Sequence, residues 1–210
     1  MELSEAFEKT RAWVARGNAL VDSLALESDE RTRVSAALFH LSLEHHGSIL
    51  ALAEKQHFGS AFALARPQFE SYVRGVWFQC CATKEQLQHF TADNNPPGID
   101  QLIEAIEEQP AYSEKILSGL KARIWGALCG FTHGGYVQVS WRITPEEITS
   151  DFSEELLVSL LVTSCALSLQ AYVAMAVLAK SEELATSVKE AHQEIFGYEE
   201  WHNKQPKPTP

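Results

Sequence analysis

Arginine, glutamate and arginine recur every four residues at Arg66, Glu70 and Arg74, within the sequence ALARPQFESYVRGVWFQCC. On a helix this spacing places the three side chains along one stripe. Two guanidiniums beside one carboxylate present N–H donors in a fixed geometry, which suits a phosphate, a carboxylate or the acidic side chain of a partner. The same spacing is also typical of an ordinary ion-pair ladder without function, which contributes about 0.3–0.5 kcal/mol per pair. Both interpretations stay open on the sequence alone.

A histidine flanked by glycines is the second feature that could do chemistry, in the sequence GFTHGGYVQVSWR. His133 could be a general acid or base near neutral pH, and an arginine such as Arg74 could stabilise charge on a phosphorane. His133 and Arg74 are therefore the candidates for catalysis, although a histidine that only caps a helix fits the pattern too.

Metal binding is not predicted from the histidines or the cysteines. His40 and Glu44 would share one side of a helix, but two ligands need a third, and the second histidine of an HExxH motif is missing. The cysteines form no CxxC motif, so we expect no metal and no cofactor. We interpret all four as buried thiols of a reducing compartment: Cys80, Cys81, Cys129 and Cys165.

The elements that must position these residues are helices. Apolar residues at helical spacing predict a central helix over residues 60–81, in which Pro67 either lies in the first turn or introduces a kink. Similar spacing predicts further helices over 3–26, 30–56, 84–92, 99–108, 113–131, 156–179 and 181–196, and a short extended segment over 136–141. The predicted N-caps are Asp29, Thr83, Ser113, Thr144 or Ser153, and Ser181.

The fold class predicted from these elements is all-α, a single-domain bundle of six to eight helices with an up-down or HEPN-like core. We place the domain at residues 1–202 and a flexible polar tail at 203–210. The run DNNPPG at 93–98 cannot continue a helix and is predicted to be a loop.

Charge and hydropathy narrow the class of protein further. The formal net charge of −11 repels nucleic acid and anionic membranes, so RNA binding would need a local basic patch. No signal-peptide pattern opens the chain, and we expect a cytoplasmic location. Residues 156–179 carry no charge and are long enough to cross a bilayer, but their serines, threonine and glutamine favour a central bundle helix, without stable membrane insertion.

Taken together, ALARPQFESYVRGVWFQCCA and GFTHGGYVQVSWR resemble a bacterial family of helical proteins of unknown function, in which an Arg-x-x-x-Glu-x-x-x-Arg-Gly helix is paired with a downstream His-Gly-Gly turn. The resemblance extends to the HEPN superfamily, whose active members place an Arg and a His of an Arg-x4–6-His motif in a dimer-interface cleft and cut RNA without metal. It implies that the chain forms a homodimer and that five residues converge in one cleft as the ligand-binding set: Arg66, Glu70, Arg74, His133 and Arg142. Arg123 precedes His133 by ten positions, which is longer than that motif.

Three functions follow from these patterns. The leading one is a ligand- or partner-binding module whose arginines, glutamate and histidine line a polar pocket for a small anion or a protein partner. The alternative is a metal-independent ribonuclease or toxin-system component using the same residues. A membrane-associated protein that uses residues 156–179 is the third. Whether the chain catalyses a reaction stays open.

Overall fold

A computed structural model shows the all-α fold that the sequence predicts. It describes residues 1–22, 24–132, 135–144, 147–150 and 152–197, without the side chains of Ala127 and Val137. Eight of the helices in this described part have eight residues or more. The helices are α1 Leu3–Val21, α2 Glu30–Glu54, α3 Phe58–Cys80, α4 Lys84–Thr91, α5 Ile99–Glu107, a 3-10 turn Pro110–Tyr112, α6 Ile116–Thr132, α7 Tyr136–Ser140, α8 Glu154–Leu178 and α9 Glu182–Phe196.

Side-chain caps begin four of the helices where the sequence predicts them. Asp29, Thr83, Ser153 and Ser181 each accept a hydrogen bond from the backbone N–H three residues further on, at the start of α2, α4, α8 and α9. Each cap satisfies one of the N–H groups that a helix start leaves without an intrahelical partner. The predicted loop at 93–98 joins α4 to α5. The domain boundary at 202 and the tail at 203–210 lie outside the described residues.

The prediction that Ser113 caps α6 is wrong. Lys115 has a left-handed φ of 54°, which separates Ser113 from the helix that follows. The hydroxyl of Ser113 donates to the carbonyl of Pro110 at 3.0 Å instead. In the first turn of α6 the N–H of Ser118 donates to Glu107 Oε1 at 2.8 Å, so a carboxylate from α5 takes the capping role.

Pro67 does not lie in the first turn of its helix. Helix α3 begins at Phe58 and continues through the proline. The residues before Pro67 are among the most buried in the molecule, with Ala61 at 0% exposure and Ala65 at 4%. Their burial stabilises a helix that local preferences alone would start later.

The extended segment predicted over residues 136–141 is also wrong, because α7 occupies 136–140. Its first turn closes with a bond from Val139 N to the Gly135 carbonyl at 3.2 Å. The Gln138 side chain donates to the carbonyl of Gly59 in α3 at 3.0 Å, which fixes the turn to the bundle. Among the described residues the β-pairing is confined to one isolated bridge between Ile143 and Ile148. A short alternating sequence forms a stable strand only when it pairs with another strand. Residues 136–140 have no such partner in the described part of the chain, so the contacts of α7 with the bundle determine its helical structure.

Helices α3 and α8 form the centre of the bundle. Helix α8 contacts α1, α2, α3 and α9, and α2 packs closely along α3. The approach of α2 to α3 depends on Gly75, since a Cβ at this position would lie 2.5 Å from the ring of Phe39. Helix α1 meets α8 in the same way, because a Cβ at Gly17 would lie 2.4 Å from the Tyr172 ring. Glycine therefore allows two of the close helix contacts.

Helix α8 is the candidate membrane span. Within the described residues it is the one helix long and apolar enough to cross a membrane by length and composition, and half of its most apolar window is buried inside the molecule. The contacts of α8 with four other helices account for its apolar length. Helix α8 therefore lies in the middle of the bundle, where the sequence pattern places the apolar helix over residues 156–179.

A buried polar network joins α2, α3 and α8. Gln68 Nε2 donates to the Ser164 carbonyl at 2.9 Å, so its Oε1 faces the Ser164 hydroxyl, which donates to it at 2.8 Å. The hydroxyl must then accept from His46 Nδ1 at 2.7 Å, and His46 Nε2 is left as a buried acceptor without a hydrogen-bond partner among the described residues. His46 is therefore held as the neutral Nδ1–H tautomer.

Candidate functional site

The candidate site is built on the Arg66–Glu70–Arg74 ladder, formed by these three residues on α3. Arg66 Nε donates to Glu70 Oε1 at 2.6 Å, and Arg74 Nη2 donates to Glu70 Oε2 at 3.1 Å. The exposed fractions of the side chains are 23% for Arg66, 17% for Glu70 and 37% for Arg74. One carboxylate thus orients two half-buried guanidiniums along the border of the apolar face.

Helix α6 contributes the opposite wall of the site. The guanidinium carbon of Arg66 lies 4.7 Å from the centroid of the Trp125 ring, and Arg66 Nη1 donates to Cys129 Sγ at 3.5 Å. Lys121 Nζ lies 4.6 Å from the same ring centroid and pairs with Asp100 Oδ1 at 2.7 Å. The indole therefore contacts two cations, which its negative ring face attracts.

The local charge of the site differs in sign from that of the whole chain. The ladder holds two arginines and one glutamate, which gives it an excess of one positive charge in a protein of formal net charge −11. Partial burial strengthens the local field, because charges at this depth are less screened than charges in open water. The site can attract an anion although the molecule as a whole does not.

Arg74 has hydrogen-bonding capacity that the ladder does not use. A guanidinium carries five N–H donors, and Arg74 Nη2 is the group that reaches Glu70. Arg74 Nε is buried and has no hydrogen-bond partner among the described residues. A buried donor without a partner costs about 1–3 kcal/mol, so an acceptor that reached this edge of the guanidinium would be stabilised.

Arg142 lies apart from Arg74, at the beginning of α3. Its Nη1 donates to the Gln138 carbonyl at 2.8 Å, and its Cζ lies 5.9 Å from the centroid of the Phe152 ring. Its guanidinium also covers Gly59, where an added Cβ would meet it at 2.0 Å. Arg74 is fifteen residues further along α3, or about 22 Å along the axis. The structure therefore brings Arg66, Glu70 and Arg74 together and does not bring Arg142 to Arg74.

His133, the fifth predicted ligand-binding residue and a candidate for catalysis, lies outside the described residues. His40 and Glu44 are exposed on α2. Within the described part of the chain, no three His, Cys, Asp or Glu side chains are close enough together to hold a metal ion.

The interpretation of all four cysteines as buried is correct for Cys165 and wrong for Cys80. Cys165 is buried, whereas Cys81 and Cys129 are half-buried and Cys80 is exposed. Cys80 is the last residue of α3.

Sequence reasoning missed the contribution of α6. Trp125 was not among the predicted site residues, and Cys129 was interpreted only as a buried thiol. The signal was present, since Lys121, Trp125 and Cys129 recur every four residues, as the arginines and glutamate of α3 do. What the sequence lacked was the pairing of α3 with α6, which is a contact between distant parts of the chain.

The fold and the site together define an α-helical bundle with a half-buried arginine–carboxylate–arginine ladder packed beside a tryptophan. The chain belongs to the family described as "Family of unknown function (DUF6988)", whose model matches residues 39–198. The match contains the whole ladder, Trp125 and Cys129. It confirms the predicted membership of a family of unknown function, while the paired motifs and the relation to the HEPN superfamily stay predictions. No curated protein and no solved structure matches the chain.

Proposed function

We propose that this protein is a ligand-binding module that takes a compact anionic group, a phosphate or a carboxylate, at the Arg66–Glu70–Arg74 ladder. The observation that carries the proposal is the state of Arg74: half-buried, oriented by Glu70, and with its buried Nε lacking a hydrogen-bond partner in the described part of the chain. An anion at this edge would accept charge-assisted hydrogen bonds from a guanidinium that is already positioned. The local excess of positive charge supports the same ligand class.

The test is calorimetric titration with inorganic phosphate and, separately, acetate, each against sodium chloride at matched ionic strength. The variants are Arg74→Gln, which removes the charge at the site, and Arg123→Gln as the control. Arg123 is an exposed arginine on α6, so the control makes the same change in net charge elsewhere. We expect saturable binding to the wild type and to Arg123→Gln, and an affinity lower by about tenfold or more in Arg74→Gln, since a hydrogen bond to a charged group contributes about 1.5–3 kcal/mol. Equal binding by all three proteins would contradict the proposal.

The metal-independent ribonuclease stays a prediction. It requires His133 beside the arginines, and His133 lies outside the described residues. Nothing in the ladder itself distinguishes a phosphate that is bound from one that is cleaved. The binding module is therefore the function that the geometry supports best.

We further propose that the chain forms a homodimer in the cytoplasm. Exposed apolar side chains near α7 support self-association: Tyr136 is 83% exposed, Ile143 59% and Ile148 86%. Ile143 and Ile148 lie beside each other through their β-bridge, and exposed apolar surface is common at protein interfaces.

A further inference from the structure

Two cysteines adjacent in sequence form a pair of neighbouring thiols at the end of α3. Cys80 Sγ and Cys81 Sγ lie 3.4 Å apart, and both cysteines are free. Cys80 is exposed and Cys81 is half-buried, so the pair is open to solvent from one side. Cys80 is the last residue of the helix and Cys81 is its C-cap, with φ −121° and ψ −40°, which turns the second thiol out of the helical pattern and toward the first.

Three common kinds of thiol chemistry fit this pair poorly. A disulfide between adjacent residues is strained, because their Cα atoms lie about 3.8 Å apart and disulfides need about 4.4–6.8 Å. A structural zinc ion needs four ligands, and among the described residues no third His, Cys, Asp or Glu is placed to hold a metal ion together with the pair. Alkylation by carbon electrophiles needs a thiolate, and burial raises the pKa of Cys80 to about 12 and also raises that of Cys81.

The distance between the sulfurs suits chelation of one soft atom by two thiols. Two sulfurs held about 2.3 Å from a common centre at an angle of roughly 90–110° lie about 3.3–3.8 Å apart. The observed 3.4 Å falls within that interval without movement of the backbone. Soft thiolate ligands select soft, thiophilic centres.

We propose that Cys80 and Cys81 form a binding site for a trivalent arsenical. An arsenic centre of the type R–As=O condenses with the two S–H groups: two As–S bonds form, the As=O and both S–H bonds break, and the two thiol protons leave with the oxygen as one water molecule. No oxidation or reduction takes place. The reaction uses protonated thiols, which is the form in which this pair is held.

The thiol pair is separate from the ladder, and binding of an arsenical breaks only weak hydrogen bonds of the two thiols. Cys80 Sγ donates a weak hydrogen bond to the Val76 carbonyl at 3.1 Å, and Cys81 Sγ donates one to the Ala105 carbonyl of α5 at 3.4 Å. Sulfur is a weak donor, so the loss of both bonds is small compared with two covalent As–S bonds. Cys81 lies seven residues beyond Arg74, or about 10 Å along the axis of α3.

The test treats the full chain with one equivalent of phenylarsine oxide and follows intact mass together with the count of free thiols. We expect one phenylarsenic group per chain, formed with loss of one water, and two thiols consumed. Cys80→Ser and Cys81→Ser should each lose the adduct. Cys165→Ser, in which the hydroxyl can keep the bond to Thr10, is the control and should retain it.

A competition experiment separates chelation from binding by a single thiol. Because two linked thiols act at high effective concentration, a small dithiol should remove the arsenical while glutathione at the same thiol concentration should remove at least about a hundredfold less. Retention of the adduct in both serine variants, or equal removal by glutathione and the dithiol, would overturn the proposal.

Discussion

Glu70 is the residue that gives the candidate site its form. Both of its carboxylate oxygens accept from arginines, one from each side along α3. The carboxylate therefore holds the guanidiniums in place. Its negative charge also cancels part of the positive potential that would attract an anionic ligand. These two effects change the affinity for an anion in opposite directions. Whether a substitution at Glu70 raises or lowers that affinity shows which effect is larger.

Glu70→Gln is expected to strengthen phosphate binding. The amide can still accept from one arginine and has a similar shape, but it removes a negative charge close to the bound anion. At a separation of 5 Å in water, that charge costs about 0.8 kcal/mol, so the affinity should rise by about fourfold or more. Titration of phosphate into both proteins at one ionic strength measures the change. A lower affinity in Glu70→Gln would mean that orientation of the arginines dominates and that the field argument is wrong.

Part of the site could be predicted from the sequence because it is local. Arg66, Glu70 and Arg74 meet through helical spacing alone, and that spacing is visible in the chain. Trp125 joins them only because α6 packs on α3, and no local pattern specifies that pairing. Arg142 was grouped with the others on the basis of residue type, and the structure places it at the other end of α3.

The elements themselves were largely predictable, and the errors have local causes. Helices with caps and apolar spacing, such as α2 from Asp29 and α8 from Ser153, begin where their caps are. The start of α3 was predicted at residue 60, two residues after its position in the structure, and of the two options for Pro67 the first-turn position is wrong because buried residues precede it in the helix. Helix α7 was mistaken for a strand because five residues give too short a window to distinguish the two periods.

Two buried histidines, His46 in the network of α2, α3 and α8 and His192 in α9, make the fold sensitive to acid. Burial lowers the pKa of His46 to about 3, and burial between Trp13 and Phe196 lowers the pKa of His192 to about 4. Both histidines are neutral in the folded protein and charge more readily in the unfolded chain, whose pKa is about 6.5. The contribution of these neutral histidines to the free energy of unfolding is therefore fully present above about pH 6.5. It is lost as the pH falls from about 6.5 toward 3.

Between pH 8 and pH 5, His46 alone is expected to lower the free energy of unfolding by about 2 kcal/mol, as proton linkage requires for an unfolded-state pKa near 6.5. Urea unfolding followed by circular dichroism at several pH values measures this slope. In His46→Asn the amide can replace Nδ1–H as donor to Ser164, and the slope should be smaller by that amount. His40→Gln, an exposed histidine on the same helix, is the control and should keep the wild-type slope. If the free energy of unfolding of the wild type did not change over this pH range, His46 could not be a buried histidine that stays neutral in the folded protein.

The whole molecule combines an acidic net charge with a half-buried ladder of positive charge. With a formal net charge of −11, we expect the surface as a whole to repel nucleic acid. A compact anion bound at the ladder would meet less of that repulsion than a polymer that extends over the surface. This contrast between the global charge and the local charge favours a compact anion over a polymer.

The proposed homodimer is a property of the whole molecule and is tested by sedimentation equilibrium. We expect a mass of twice the 23.4 kDa chain at neutral pH and moderate salt. Ile148→Asp introduces a charge into the exposed apolar surface near α7 and should return the protein to the monomer. Ile116→Asp, at an exposed isoleucine on α6, should remain dimeric. A species of chain mass at all concentrations would contradict the dimer.

The central claim, that the ladder binds an anion, is tested most directly by following the arginine Nε–H resonances by NMR during a phosphate titration. The account predicts that the Nε–H signal of Arg74 moves in a saturable way, with a smaller movement of Arg66, while the signal of exposed Arg123 stays in place. Chloride at the same ionic strength should produce none of these changes. Signals of Arg74 and Arg123 that move together and without saturation, as nonspecific screening would cause, would contradict it.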